Sequence, residues 1–217
     1  MAQHLKRQNV PNKWPISRKG TTFVVNANFN PSMGMPILIL LRDLLKVAQN
    51  RKEVKSAIHD KNILLNNKLV IDDKHTAILF DVITLIPTKA NYRVELTEKG
   101  KFTLNEIEPS KADKKVAKII NKKTLNGKKT QLNLLDGTNF LSDIECKIND
   151  SVLIDFKNRK ISKVLPLKEG ANILVFEGKH AGKIGKINKF VPELKMAEII
   201  TNNGKMNVLI KQLIVTE

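Results

Sequence analysis

The chain has 217 residues, with 38 lysines and arginines against 21 aspartates and glutamates, for a formal charge of +17 at pH 7. An excess of that size repels itself and calls for a polyanionic partner. The apolar run Ile37 to Leu41 stops at Arg42, far too short to span a bilayer, and no signal-peptide pattern surrounds it, so nucleic acid rather than membrane is the expected partner. Cys146 is the only cysteine, which excludes a disulfide or a thiolate zinc site within one chain and fits a reducing compartment. His4, His59, His75 and His180 lack ligand spacing, and there is no G-x-S-x-G, P-loop or H-E-x-x-H motif. No catalytic residue, metal ligand, cofactor or small-molecule substrate is expected.

Residues 1–35 read as a basic extended arm. It holds Pro11, Pro15 and Pro31, shows little periodicity, and carries Lys6, Arg7, Lys13, Arg18 and Lys19; the first acid of the whole chain is Asp43. Trp14, Phe23 and Phe29 add stacking and anchoring groups, a combination suited to lying along phosphates and bases. From Pro36 the pattern turns helical, with Leu38, Leu41, Leu45 and Ala48 three to four residues apart, predicting a helix that stops near Gln49-Asn50. Asn50 then caps a second helix, with Glu53 as its capping-box partner, a buried stripe of Val54, Ala57 and Ile58, and an outer face of Arg51, Lys52 and Lys55. Ile63 to Leu65 and Lys68 to Ile71 flank Asn66-Asn67 as a tight hairpin, and Ile78 to Leu85 holds a further strand.

Beyond residue 86 the pattern is all-β. Tyr92, Val94 and Leu96 alternate, Lys99-Gly100 turns, and Phe102 and Leu104 alternate back. Asn126-Gly127, Asp136-Gly137 and Asn203-Gly204 are hairpin signals, while Val152 to Asp155 and Ile161 to Leu165 read as a strand pair. Val116 to Ile120 fits either a strand or a short helix. Pro166 followed by Lys168-Glu169-Gly170 marks a boundary before a compact glycine-rich β unit. The expected fold is therefore α+β and multi-module: arm 1–35, helix-and-hairpin domain 36–86, central β domain 87–168 and C-terminal β unit 169–217.

Two constellations carry chemistry. Arg42, Arg51, Lys52, Lys55, Lys61 and Lys68 fall where one surface can collect them, and Glu53 is the only acid between Arg51 and Ile58. The order Leu41-Arg42-Asp43, Arg51-Lys52-Glu53-Val54-Lys55, Lys61 to Lys68 and Phe80-Asp81-Val82-Ile83 resembles the alpha-L RNA-binding motif, in which a basic helix and hairpin contact folded RNA; Asn67 stands where that family usually has a turn glycine. The second constellation is Gly178-Lys179-His180-Ala181-Gly182-Lys183-Ile184-Gly185-Lys186-Ile187, a glycine turn with interleaved cations that suits a phosphate backbone. No Lys-Ser/Thr pair follows the glycines, so it is not a Walker loop. With the apolar Ile173 to Phe176 before it, it resembles a KOW motif, which implies an SH3-like barrel. The lysine-dense stretch Lys111 to Lys129 is as consistent with a solubilising loop as with RNA contact, and no site is assigned to it.

His4-Leu5-Lys6-Arg7, followed by Pro11 and Trp14, resembles the N-terminal signature of small-subunit ribosomal protein four of the archaeal and eukaryotic type, the S-four-e family. The order of arm, alpha-L motif, central β domain and KOW unit fits that family over essentially the whole chain. Gln8 and Asn9 depart from its usual small or apolar residues, and the chain ends at Glu217 without the basic tail of eukaryotic members. The resemblance implies a cytoplasmic, ribosome-bound protein that binds and stabilises small-subunit ribosomal RNA, mainly its 5′ domain, beside neighbouring ribosomal proteins. The implied RNA-binding residues are His4, Lys6, Arg7, Lys13, Trp14, Arg18, Lys19, the six cations of the alpha-L stretch, and Lys179, His180, Lys183 and Lys186. Two alternatives use the same modules, an RNA-modifying enzyme and a transcription-associated factor. The first requires a catalytic domain that the short strands of 87–165 are small to supply.

Overall fold

The computed structural model describes residues 4–125, 129–142, 144–201 and 204–216. The chain is rich in strands and poor in helices, and it forms two compact units, Met1–Thr97 with Lys101–Asp113, and Glu98–Gly100 with Lys114–Glu217.

The first unit opens with an antiparallel ribbon of β1 (Leu5–Lys6) and β2 (Phe23–Val24). β3 (Gly34–Pro36) leads into α1 (Ile37–Ile39), a π-helical turn over Leu40–Leu44, and α2 (Arg51–His59). The hairpin β4 (Ile63–Leu65) and β5 (Lys68–Leu69) follows, then β6 (Thr76–Ile78), which pairs back with β3. β7 (Val82–Leu85), β8 (Ala90–Leu96) and β9 (Phe102–Ile107) complete an antiparallel sheet of order β5-β4-β7-β8-β9, and a single turn, α3 (Pro109–Ala112), ends the unit. β7 pairs with β8 from Val82 opposite Arg93 to Leu85 opposite Ala90. The sheet thus runs on past the boundary expected at 86, because Leu85, Val94 and Phe102 bury their side chains in the same core.

Two expectations for this unit need correction. The helix from Pro36 does not reach Gln49. Ile37 to Leu41 are buried on every side, so this is a core segment rather than a surface helix with one apolar stripe. After α1 the hydrogen bonding widens, with Leu45 N–H donating to the Leu40 carbonyl at 2.9 Å, and Lys46 takes a left-handed φ of 55° that ends the helix. Nor is 4–34 a free arm. Leu5, Val10, Ile16, Val24 and Val25 pack on the core, Trp14 lies inside it, and Phe102 N–H bonds the Lys13 carbonyl at 2.8 Å. Too few apolar residues at regular spacing had marked this segment as core. α2 is as expected at its start: the Asn50 side chain accepts from Glu53 N–H at 3.0 Å, while the Glu53 carboxylate reaches back to Gln49 N–H at 2.7 Å.

The second unit holds two antiparallel sheets. β10 (Lys114–Thr124), β11 (Thr130–Leu134), β12 (Asn139–Leu141), β13 (Ser151–Asp155) and β14 (Lys160–Leu165) form one, in the order β12-β11-β10-β13-β14. The stretch left open between strand and helix is therefore strand: β10 pairs with β13 over Lys114 to Lys118, then bulges after Ile119 and pairs with β11. β15 (Asn172–Val175), β16 (Ile184–Val191), β17 (Met196–Thr201), β18 (Gly204–Leu209) and β19 (Leu213–Val215) form the other, in the order β18-β17-β16-β15-β19. Leu165 and Val116 of the first sheet pack on the core of the second, and Val215 N–H donates to the buried Ser151 hydroxyl at 2.9 Å. The hairpin signals Asn126-Gly127 and Asn203 lie outside the described residues.

Within the first of these sheets Lys115 and Asp136 form a buried ion pair at 2.8 Å. Burial alone would push the Asp136 carboxyl up, but the charge and hydrogen bond of Lys115, with two donors from Thr138, outweigh it and hold the carboxyl below its ordinary 3.8. A carboxyl lowered by folding stabilises fully above its unfolded pKa of 3.8, and that contribution is lost as the pH falls through the lowered folded value. Asp136→Asn removes the carboxylate of this buried pair, so it should be less stable than wild type at neutral pH. The two urea-unfolding curves should converge as the pH falls below the ordinary carboxyl value of 3.8; a gap that stays constant with pH would refute the pair's role.

Candidate nucleic-acid interface

The helix-and-hairpin surface is built on buried anchors. Val54 and Ile58 of α2 sit in the core, which leaves Lys52 and Lys55 exposed on the opposite face. The hairpin turn uses Asn66 and Asn67 at φ values of 51° and 59°, the left-handed pair that a two-residue turn of this hand requires. Asn66 also staples the turn to the sheet: its amide donates to buried Asp81 at 2.8 Å and its oxygen accepts from Val82 N–H at 2.9 Å. Asp81 in turn accepts from Ile78 N–H at 2.7 Å. Lys68 directly after the turn is thereby held on a rigid edge, and Lys61, at a φ of 57° before β4, is exposed as well.

Two arginines of this set have internal partners. Arg51 reaches buried Asp73 at 2.6 Å, so much of its charge offsets that carboxylate. Arg42 pairs with Asp43 at 2.8 Å, and that hydrogen bond raises the guanidinium's pKa against the opposing effect of burial. The free positive charge of the surface is therefore carried by Lys52, Lys55, Lys61 and Lys68.

In the N-terminal segment the residues divide by role. Trp14 is 2% exposed and its indole N–H donates to the carbonyls of Gly34 at 2.9 Å and Pro31 at 3.1 Å. A ring enclosed in this way cannot stack on a base, which corrects its expected RNA-binding role. Arg7 directs its fork inward, to the Thr21 carbonyl at 2.7 Å, the Ser17 carbonyl at 2.8 Å and the Thr21 hydroxyl at 2.9 Å. It clamps the 17–21 loop. Lys13 is half-buried, with its ammonium 3.3 Å from the Ser32 carbonyl. His4, Lys6, Arg18 and Lys19 are exposed.

In the C-terminal sheet the glycine-lysine segment connects β15 to β16. Lys179 and Lys186 are exposed, and His180 and Lys183 are half-buried. Gly178 and Gly182 both take a φ of 89°, as the turn requires. Gly185 lies inside β16 instead, where a Cβ would come within 2.4 Å of the Ile200 carbonyl; it serves strand packing, not the loop. The lysine-dense stretch also separates. Lys114, Lys122, Lys123 and Lys129 are exposed, Lys128 lies outside the described residues, and Lys115 and Lys118 are buried. Lys118 donates to the carbonyls of Ile210 at 2.7 Å, Leu213 at 2.8 Å and Lys211 at 3.0 Å, with its ammonium 5.8 Å from the Phe176 ring centre. Burial pushes this lysine down to about 8, still protonated at neutral pH, so three N–H groups meet three carbonyls. Sequence offered no signal for this, since a lysine in a lysine-rich run reads as surface. Among the described residues no group of three or more His, Cys, Asp and Glu side chains is placed to hold a metal ion.

The chain is 40% identical to a small ribosomal subunit protein eS4 from Methanocella arvoryzae, over 86% of this chain and 80% of that one. It belongs to the ribosomal family S4e. The S4e family's own sequence model matches residues 88–161, and that of the RS4NT (NUC023) domain matches 1–31. Another relative, the small ribosomal subunit protein eS4 of Haloarcula marismortui, is 32% identical over 98% of this chain and 89% of that one. The crystal structure of the 30S ribosomal protein S4e from Thermoplasma acidophilum shares the fold, with a TM-score of 0.72 and 22% identity over 84% of this S4e chain and 94% of that one. S4e is a family of ribosomal structural proteins, not of enzymes.

Proposed function

We propose that this S4e chain is a structural protein of the small ribosomal subunit in the cytoplasm, binding ribosomal RNA through its exposed lysines and supporting subunit assembly and translation. The observation that carries the reading is the acid-free N-terminal segment with its exposed Lys6, Arg18 and Lys19, in the same unit as the Lys52, Lys55, Lys61 and Lys68 surface. In this reading the helix, hairpin and following strand act as an alpha-L motif, and β15 to β19 act as an SH3-like KOW unit that offers Lys179, His180, Lys183 and Lys186 to the RNA backbone. Residues 1–35 supply the basic segment, the RNA reader starts at 36, and the C-terminal module spans 169–217. The strands between form the spacer. The cations release condensed counterions from phosphates, the folded modules read RNA shape, and the 5′ domain of the RNA is the proposed target. Neighbouring ribosomal proteins complete the surroundings.

Deleting the N-terminal segment would remove Trp14 from the core, so charge is better tested by substitution. Changing Lys6, Arg18 and Lys19 together to glutamine should leave the urea midpoint unchanged. It should lower the slope of log affinity for small-subunit ribosomal RNA against log salt by about 2 to 3. An unchanged slope would remove these residues from the phosphate contacts.

A further inference from the structure

We propose that Phe23, flanked by His4 and Lys6, is a stacking platform for an unpaired RNA base. This rests on the RNA-binding reading above and specifies the kind of nucleotide that the N-terminal segment takes. In the ribbon of β1 and β2, Leu5 lies opposite Val24 and Lys6 lies opposite Phe23. Strand alternation sends the first pair to one face and the second to the other. Leu5 and Val24 accordingly pack on the core, while Phe23 remains 54% exposed. A phenylalanine on the solvent face of a two-residue strand does nothing for the core, and valine or threonine would pair as well.

The ring is nevertheless held in place. His4 meets it edge-on, with ring centres 5.2 Å apart and planes at 84°. Arg7 N–H bonds the Thr22 carbonyl at 2.9 Å, its guanidinium grips Ser17 and Thr21, and the Thr21 hydroxyl donates to the Phe23 carbonyl at 3.1 Å. Gly20 lies close against that guanidinium, where a Cβ would come within 2.9 Å of it. The arrangement is therefore an exposed aromatic face on a pre-ordered ribbon, with a lysine as its cross-strand neighbour. No acid occurs before Asp43 in the sequence, and Arg18 and Lys19 follow in the clamped loop. A π-face next to cations in an acid-free segment matches a base with its phosphate, since every base offers a face and stacking tolerates sequence. An unpaired base suits the platform because a base inside a helix has both faces covered by its stacked neighbours, whereas an unpaired one can turn a face to the ring.

The test uses the full chain and a transcript of the source organism's small-subunit ribosomal RNA. Phe23→Ala and Phe23→Leu should each weaken binding about tenfold, Phe23→Tyr should bind within about twofold of wild type, and none should alter the salt slope. Lys6→Gln should instead lower that slope by about 1. Unfolding midpoints should stay at the wild-type value, because the ring is outside the core. Ultraviolet crosslinking should join Phe23 to a nucleotide that is unpaired in the folded RNA. Wild-type affinity in Phe23→Leu would overturn the platform, leaving only an apolar contact there, and so would a crosslink to a protein partner in place of RNA. Failure of the wild-type chain to bind the transcript would overturn the RNA-binding reading itself, and the platform with it.

Discussion

Replacing Trp14 with alanine should destabilise the first unit by about 3–5 kcal/mol, the usual cost of emptying a large aromatic site in a core. Trp14 is 2% exposed and joins Met35, Ile37, Leu40 and Phe102 in one cluster. Its N–H also serves the Pro31 and Gly34 carbonyls, which lie at the entry to β3. Trp14→Phe separates the two effects. It keeps most of the apolar contact and removes the donor, so it should cost only about 1–3 kcal/mol. The measurement is urea unfolding at constant slope, followed by RNA binding under conditions where each variant is folded. Folded Trp14→Phe should bind RNA like wild type. A variant with unchanged stability and weakened binding would return Trp14 to the RNA surface and contradict its burial.

Lys118→Met should destabilise the second unit by about 1–3 kcal/mol. Methionine fills nearly the same volume but has no N–H to offer, so the carbonyls of Ile210, Lys211 and Leu213 all lose a donor. A buried acceptor left unmet costs about 1–3 kcal/mol, and this falls on the buried Leu213 carbonyl, since the Ile210 carbonyl keeps the Leu213 N–H and Lys211 is exposed to water. The cation over Phe176 adds about 0.5–2 kcal/mol at most. Lys118→Arg should not restore stability, because a planar fork does not match three carbonyls converging on one nitrogen. The salt slope of RNA binding should be the same in wild type and Lys118→Met, since this ammonium meets protein rather than phosphate. A lowered slope with intact stability would make Lys118 an RNA ligand after all.

The sequence was most informative where a short-range rule operates. Asn50 with Glu53 marked the start of α2, Asn66-Asn67 marked the hairpin, alternation marked β8 and β9, and β13 and β14 read as a strand pair. Each of these signals is satisfied within a few residues, so the chain carries them locally. The helix after Pro36 was misjudged in length because the spacing of Leu38, Leu41 and Leu45 reports burial, and a segment buried on all sides gives no face by which to set its end. The strand β10 was ambiguous for a related reason. Its partner changes from β13 to β11 along its length, a pairing set by residues far away in sequence.

The basic segment shows the same division in its side chains. Charge, the absence of acids before Asp43 and the signature around His4 to Trp14 are properties of the chain alone, and they were enough to point to RNA and to the S4e family. Which cation meets solvent and which meets protein is decided only on folding. Arg7, Arg51 and Lys118 look like Lys6, Lys52 and Lys123 in a list of residues, yet the first three are held by Thr21, Asp73 and a set of backbone carbonyls. Trp14 and Phe23 likewise exchange the roles that composition invites, one inside the core and the other outside it. The physical reason is common to all of them. Charge and aromaticity are fixed by covalent structure, whereas desolvation depends on what the rest of the chain brings alongside, and only the tertiary structure sets that.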